Sequence, residues 1–144
     1  MSTTESTTAP VLQSIHHLGI TVSDIERSEE WYGRVLGLKR VFVENHYASS
    51  AGGYCVVLGN ETQTFNVGLD HHPENDGTAF DARRNGLDHV CFVIGTRSEL
   101  ERWARHLQSE GVEHSPIYDI EGFPMAVLNF RDLDGIPIEL MSIN

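Results

Sequence analysis

Three residues of metal-ligating type stand out by their setting: His17, His89 and Glu139. Each lies inside a short run rich in apolar and β-branched residues, Ile15 to Val22, Gly86 to Ile94 and Ile136 to Ser142. Two neutral imidazoles and one carboxylate would offset part of the charge of a divalent ion and leave coordination positions open. A strand sends alternate side chains to opposite faces. In the first run Leu18, Ile20 and Val22 share one face, and His17, Gly19 and Thr21 the other. Val90, Phe92 and Ile94 oppose His89, Cys91 and Val93. Ile136, Ile138 and Leu140 oppose Glu139 and Met141. The strongly apolar sets should pack under helices, so all three residues project from the less apolar side of a sheet. On spacing alone two readings stand. The three converge on one metal, or the histidines are hydrogen-bonded core residues and Glu139 is a rim carboxylate. His16 falls on the apolar face and is read as a packing or exposed residue.

The elements that would position these residues follow from periodicity. Ile15 to Val22 reads as a strand, and Ser23-Asp24 offers an N-cap. Ile25, Ser28, Tyr32, Val35 and Leu36 recur at helical spacing until Gly37 stops the helix. Lys39 to Tyr47, Gly53 to Leu58 and Thr64 to Asp70 read as three strands, and His71 to Asn85 as a polar loop. The pattern then restarts. Gly86 to Ile94 is a strand, and Arg97 to Glu110 is a helix with Leu100, Trp103, Ala104 and Leu107 on one face. Val112 to Ile117, Pro124 to Phe130 and Ile136 to Ser142 are strands. His17 and His89 lie 72 residues apart, as do Trp31 and Trp103, and Val35 and Leu107. A matched offset over a strand and its helix indicates an internal repeat. The matched tryptophans read as core residues rather than as the wall of a groove. Residues 1–13 form a flexible tail. Residues 14–144 form one domain, with module one at 14–70, a linker at 71–85 and module two at 86–144.

Composition narrows the partners. The chain carries 21 acidic and 10 basic side chains, a formal net charge of -11. That balance argues against nucleic acid and against an anionic membrane surface, both of which need clustered Lys and Arg. Cys55 and Cys91 sit in apolar runs and read as buried free thiols. No apolar stretch approaches membrane-spanning length, and Met1 to Pro10 lacks the basic head and apolar segment of a signal peptide. A cytoplasmic protein is the expectation.

The segments His17 to Leu38, Gly86 to Val93 and Phe130 to Leu140 resemble those of the vicinal oxygen chelate superfamily. That group includes glyoxalase I, fosfomycin- and bleomycin-resistance proteins, methylmalonyl-CoA epimerase and extradiol dioxygenases. The resemblance rests on the Trp31-Tyr32 and Val35-Leu36-Gly37-Leu38 ending of the first segment. The closing Asp132-Leu133-Asp134-Gly135 followed by Glu139 supports it. It implies an α+β fold of two tandem βαβββ modules forming a curved, partly open mixed sheet around a metal site. It implies His17, His89 and Glu139 as metal ligands. Many members carry a fourth ligand, Glu or Gln, in the last strand of module one; here Gly68 occupies that slot. Asn66 and Asp70 share its face, and either could substitute given a shifted register.

The resemblance further implies a metal-dependent enzyme on a small oxygenated substrate. The three-ligand count favours dioxygenase-like chemistry with Fe(II), with Mn(II), Ni(II), Co(II) or Zn(II) as alternatives. A glyoxalase- or epimerase-type lyase or isomerase is a second reading, and a drug- or natural-product-sequestering protein a third. The extradiol branch has a Tyr ten residues before its ligand Glu, where this chain has Asn129. The arginine that holds glutathione in glyoxalase-like members lines up with Thr21. Asn66, Gly68, Asn129, Tyr47 and Tyr118 are the candidate substrate contacts. Tyr47, His46, Tyr118 and His71-His72 are candidate bases by side-chain type. A homodimer is implied as well, with ligands in some branches drawn from two chains.

Overall fold

The computed structural model describes residues 9–46 and 52–144. Module one runs β1 (His17–Thr21), α1 (Ile25–Leu36), β2 (Lys39–Asn45), β3 (Tyr54–Gly59) and β4 (Asn66–His71). Module two runs β5 (Val90–Gly95), α2 (Arg97–Ser109), β6 (Tyr118–Asp119), β7 (Met125–Arg131) and β8 (Pro137–Ile143). Each module forms its own four-stranded sheet, β1-β4-β3-β2 and β5-β8-β7-β6. Within each sheet the pair that brackets the helix, β1–β4 or β5–β8, is parallel and the remaining pairs are antiparallel. The fold is therefore the α+β architecture of two βαβββ modules with open mixed sheets.

The helices begin and end for local reasons. Asp24 accepts the Arg27 N–H at 3.0 Å, satisfying one of the free donors at the start of α1. Gly37, at φ 70°, closes that helix in the left-handed region where a Cβ would be penalised. The Glu99 carboxylate accepts the Thr96 N–H at 2.9 Å at the start of α2. The expected strand at Val112 to Ile117 is not one. Only an isolated bridge from His114 to Phe130 forms there, and the edge strand is the two-residue β6. Pro116 has no N–H to offer a ladder, and the Ser115 hydroxyl bonds the Pro116 carbonyl and the Asn129 N–H instead. Tyr47, at the end of the expected second strand, lies outside the described residues, as do residues 1–8 of the expected tail.

Both helix-side faces feed one continuous core. Ile20, Val22, Val35, Val67 and Leu69 of module one cluster with Leu100, Leu107, Leu128, Ile138 and Leu140 of module two. Trp31 of α1 meets Phe130 of β7, with ring centroids 6.3 Å apart, and Phe65 meets Phe92 at 5.2 Å. Trp31 is thus a core residue, as its helical position implied, and Trp103 packs partly buried against the same cluster.

A polar tie crosses this interface. The buried Tyr32 hydroxyl donates to Asp132 Oδ2 at 2.7 Å. Asp132 Oδ1 accepts the N–H groups of Asp134 and Ile136, which shapes the Asp-Leu-Asp-Gly turn. Asp134 in turn accepts the Ser23 N–H at 3.1 Å. Burial pushes the Asp132 carboxyl above its ordinary value, against the lowering effect of the Tyr32 hydrogen bond. Burial, then the Asp132 charge, raises the Tyr32 hydroxyl further from ionisation.

Replacing Tyr32 with Phe leaves a buried carboxylate short of one donor and should cost about 1–3 kcal/mol, read by urea denaturation. An acid whose folded pKa lies above its unfolded one loses stability as pH rises through the window between them. Removing the hydroxyl widens that window. The Tyr32→Phe deficit should therefore be largest near neutral pH and shrink once Asp132 is protonated.

Candidate metal centre

With the apolar faces turned into the shared core, the opposite faces of the two sheets look outward. Those outward faces carry the candidate residues. His17 opens β1, is exposed, and sits at the register of Asn66 on β4. Its Nδ1 lies 3.0 Å from His16 Nδ1, so one ring donates and the other accepts. Either way the His17 Nε2 is left for another partner. His16 is exposed, one of the two alternatives that its position allowed.

His89 immediately precedes β5 and is exposed; its Nδ1 is 2.7 Å from the Asp88 carboxylate. A carboxylate on one ring nitrogen fixes the tautomer and turns the other nitrogen outward, as metal-binding imidazoles are commonly held. Glu139 is half-buried on β8 between Cys91 of β5 and Asn129 of β7. Cys91 is exposed rather than buried, a correction to the sequence expectation. It faces the site side with His89, where no helix covers it. Partial burial, then the neighbouring Glu139 carboxylate, push its thiol up to about 12. Asn129 Nδ2 donates to Tyr118 Oη at 2.6 Å, which joins two candidate substrate contacts on the same face.

His89, Glu139 and Asn129 line one open cavity of about 870 Å³, together with His114, Arg131 and the edge of Trp31. That volume suits a small molecule rather than a polymer. Arg131 escaped notice in the sequence, although strand alternation places it with Asn129 on the face of Glu139. His17 does not line this cavity. Among the described residues no three of His, Cys, Asp and Glu come close enough to hold a metal ion. Within a single chain, two of the three candidate ligands line one cavity and His17 lies on the other sheet. As a donor set the three suit a divalent ion, with both imidazoles exposed and the carboxylate half-buried.

Module one's outward face is shaped by its glycines. Gly68 pairs with Gly19 on β1 and Val57 on β3. A Cβ on Gly68 would stand 2.8 Å from the Cys55 sulfur. The ligand slot at Gly68 is thus not empty space; the neighbouring thiol fills it. Asn66 is half-buried at the lower end of the same strand, level with His17. Asp70, two residues above Gly68, bonds His46 Nε2 through Oδ1 at 2.8 Å. Cys55 is half-buried, and its thiol is pushed up to about 12 by burial first and by Asp70 second.

The arrangement can be set against known proteins. Residues 14–140 match the family model described as the Glyoxalase/Bleomycin resistance protein/Dioxygenase superfamily. The chain belongs to that superfamily. A relative, the protein YwkD of Bacillus subtilis (strain 168), is 28% identical over 130 residues, covering 90% of this chain and 97% of its own. Superfamily architecture recurs in a solved glyoxylase/bleomycin resistance protein/dioxygenase domain from Frankia sp. EAN1pec. Its TM-score is 0.81 at 25% identity, over 93% of this chain and 94% of that one. Lactoylglutathione lyase from Agrobacterium tumefaciens shares the fold at TM-score 0.66 and 17% identity, over 91% and 94% of the two chains.

Substituting Gly68 with Ala should cost about 1–3 kcal/mol by overpacking against the Cys55 sulfur. Adding Cys55→Ala should recover part of that loss. The two substitutions would then be non-additive in a double-mutant denaturation cycle.

Proposed function

We propose that this superfamily member is a metal-dependent enzyme acting on a small organic substrate that chelates through vicinal oxygens. We also propose that its metal site is completed by a second copy of the chain. His17 comes from one copy, and His89 and Glu139 from the other. The observation that carries the reading is the division of the three residues between two outward faces, each imidazole free at one nitrogen.

Strand edges support the pairing. β1 and β5 are the outer strands of their sheets, and each has a hydrogen-bonded neighbour on one side only among the described residues. Ile15, just before β1, is 84% exposed and Val93 on β5 is 63% exposed. Open, partly apolar edges invite pairing with another chain. An isologous two-fold pair that set β1 beside the partner's β5 would satisfy both edges of both copies at once. His17 opens β1 and His89 directly precedes β5, so that pairing, run parallel, draws the two imidazoles together.

A divalent ion held there, Fe(II) by preference, would supply Lewis-acid stabilisation of a developing oxyanion and, as iron, a place for O2. Asn129, bonded to Tyr118, and Arg131 line the wall beside Glu139 and would meet the substrate.

Protein purified without chelator should carry close to one Fe, Mn, Ni, Co or Zn per chain by elemental analysis. That metal should be lost on replacing His17, His89 or Glu139 with Ala. Co-refolding His17→Ala with Glu139→Ala should restore about a quarter of the wild-type metal content, because half the dimers are mixed and each mixed dimer keeps one intact site of two. No recovery on co-refolding would sink the shared site, and no metal in the wild type would sink the reading altogether. Oxygen uptake with Fe(II) and a panel of catechols, 2-oxo acids and enediols separates dioxygenase chemistry from lyase or isomerase chemistry.

A further inference from the structure

The cavity that holds His89 and Glu139 also carries a side chain that metal ligation leaves unexplained. Among the described residues Arg131 is the one Lys or Arg in its lining, in a chain with 21 acidic side chains against 10 basic. Arg34, Arg40, Arg83, Arg84 and Arg97 each sit beside a carboxylate. Arg131 has no such partner among the described residues. Nearby carboxylates are committed elsewhere, Asp132 to Tyr32 and two backbone N–H groups, and Asp88 to His89. One contact holds the guanidinium: its Nη1 donates to the Gly135 carbonyl at 2.8 Å, in the turn that precedes β8. That bond leaves the Nε and Nη2 hydrogens, which lie parallel along one edge of the group. Arg83 uses the same edge on Asp81, at 2.9 Å through both nitrogens. A carboxylate fits that fork with two parallel, charge-assisted hydrogen bonds. Tethering Nη1 to the backbone removes part of the side-chain freedom that binding would otherwise cost.

Strand register places Arg131 beside the candidate ligands. Asn129 on β7 is the direct partner of Glu139 on β8, and Arg131 is the partner of Pro137. Arg131 is therefore the diagonal neighbour of Glu139 on the outward face, at roughly 7–8 Å. Val90 pairs with Ile138, so His89 flanks Pro137 from the other side, across roughly 10 Å of sheet from Arg131. Imidazole, carboxylate and guanidinium thus border one patch. We propose that Arg131 is a specificity residue that binds a carboxylate of the ligand, so that the cavity selects small acids over neutral molecules of the same shape. The ligand is then a small anion, with two chelating oxygens at one end and a separate carboxylate at the other. Asp88, Glu113 and Glu139 line the same cavity and disfavour any anion, so the preference depends on Arg131. This inference rests on the metal-site reading, because the metal holds the chelating end.

The test is a calorimetric titration of the full-length protein loaded with Zn(II), which has no redox chemistry of its own. The probes are 3,4-dihydroxybenzoate and 3,4-dihydroxybenzamide, which share ring and chelating diol and differ in charge. The wild type should bind the acid about tenfold more tightly than the amide. In Arg131→Gln the preference should vanish, because the acidic lining is left unopposed. Arg131→Lys should keep part of it, since an ammonium supplies the charge without the fork. A role confined to bracing the Gly135 turn would lower the urea midpoint of Arg131→Gln and leave the acid-to-amide ratio at its wild-type value. That result would overturn the proposal. So would a wild type that binds acid and amide equally, an outcome that needs no variant to fold and leaves the metal site standing. Failure to take up Zn(II), or to bind either probe, would overturn the metal-site reading and this inference with it.

Discussion

The burial of both sheets' apolar faces in one core is the constraint on which the rest of this structure depends. Neither module can cover its own sheet with a single helix of about a dozen residues, so each helix also serves the other module. Trp31 of α1 reaches Phe130 of β7, and Phe65 reaches Phe92 across the same seam. Once those faces are joined, the polar faces have no choice but to look outward. The separation of His17 from His89 and Glu139 is therefore a consequence of hydrophobic packing rather than a defect of the ligand set.

The Tyr32–Asp132 hydrogen bond sets the geometry that the core alone would leave loose. Apolar contacts are non-directional, whereas a buried carboxylate with three donors accepts one arrangement. Asp132 gathers the Tyr32 hydroxyl and two backbone N–H groups, and Asp134 takes a third N–H from Ser23 at the end of β1. The turn that leads into β8, and so sets the height of Glu139, is anchored to module one in this way. The repeat thus functions as a single unit whose halves are held in register by one acidic turn.

The two outward faces are chemically unlike. On module two, an imidazole and a carboxylate stand over an open cavity, backed by Asp88 and Cys91. On module one, small residues at Gly19 and Gly68 make room for side chains arriving from neighbouring strands, the Cys55 thiol and the Asp70 carboxylate. The two modules are similar frames, and they differ in which positions carry donors and which are vacated.

Strand alternation, helix caps and the offset shared by His17–His89 and Trp31–Trp103 were enough, in the sequence, to determine two βαβββ units, their core faces and the outward side of each candidate residue. These are local properties, governed by pleat, helical period and turn chemistry. The failure at Val112 to Ile117 is local too, since Pro116 and a hydroxyl–backbone bond defeat an apolar run. Tertiary structure alone decided what stands beside what. The exposure of Cys91, the thiol filling the slot at Gly68, the hydrogen bond between His46 and Asp70 and the separation of His17 from Glu139 all depend on contacts between segments distant in the chain. Such contacts are set by packing and register across the whole sheet, which no short window of sequence contains.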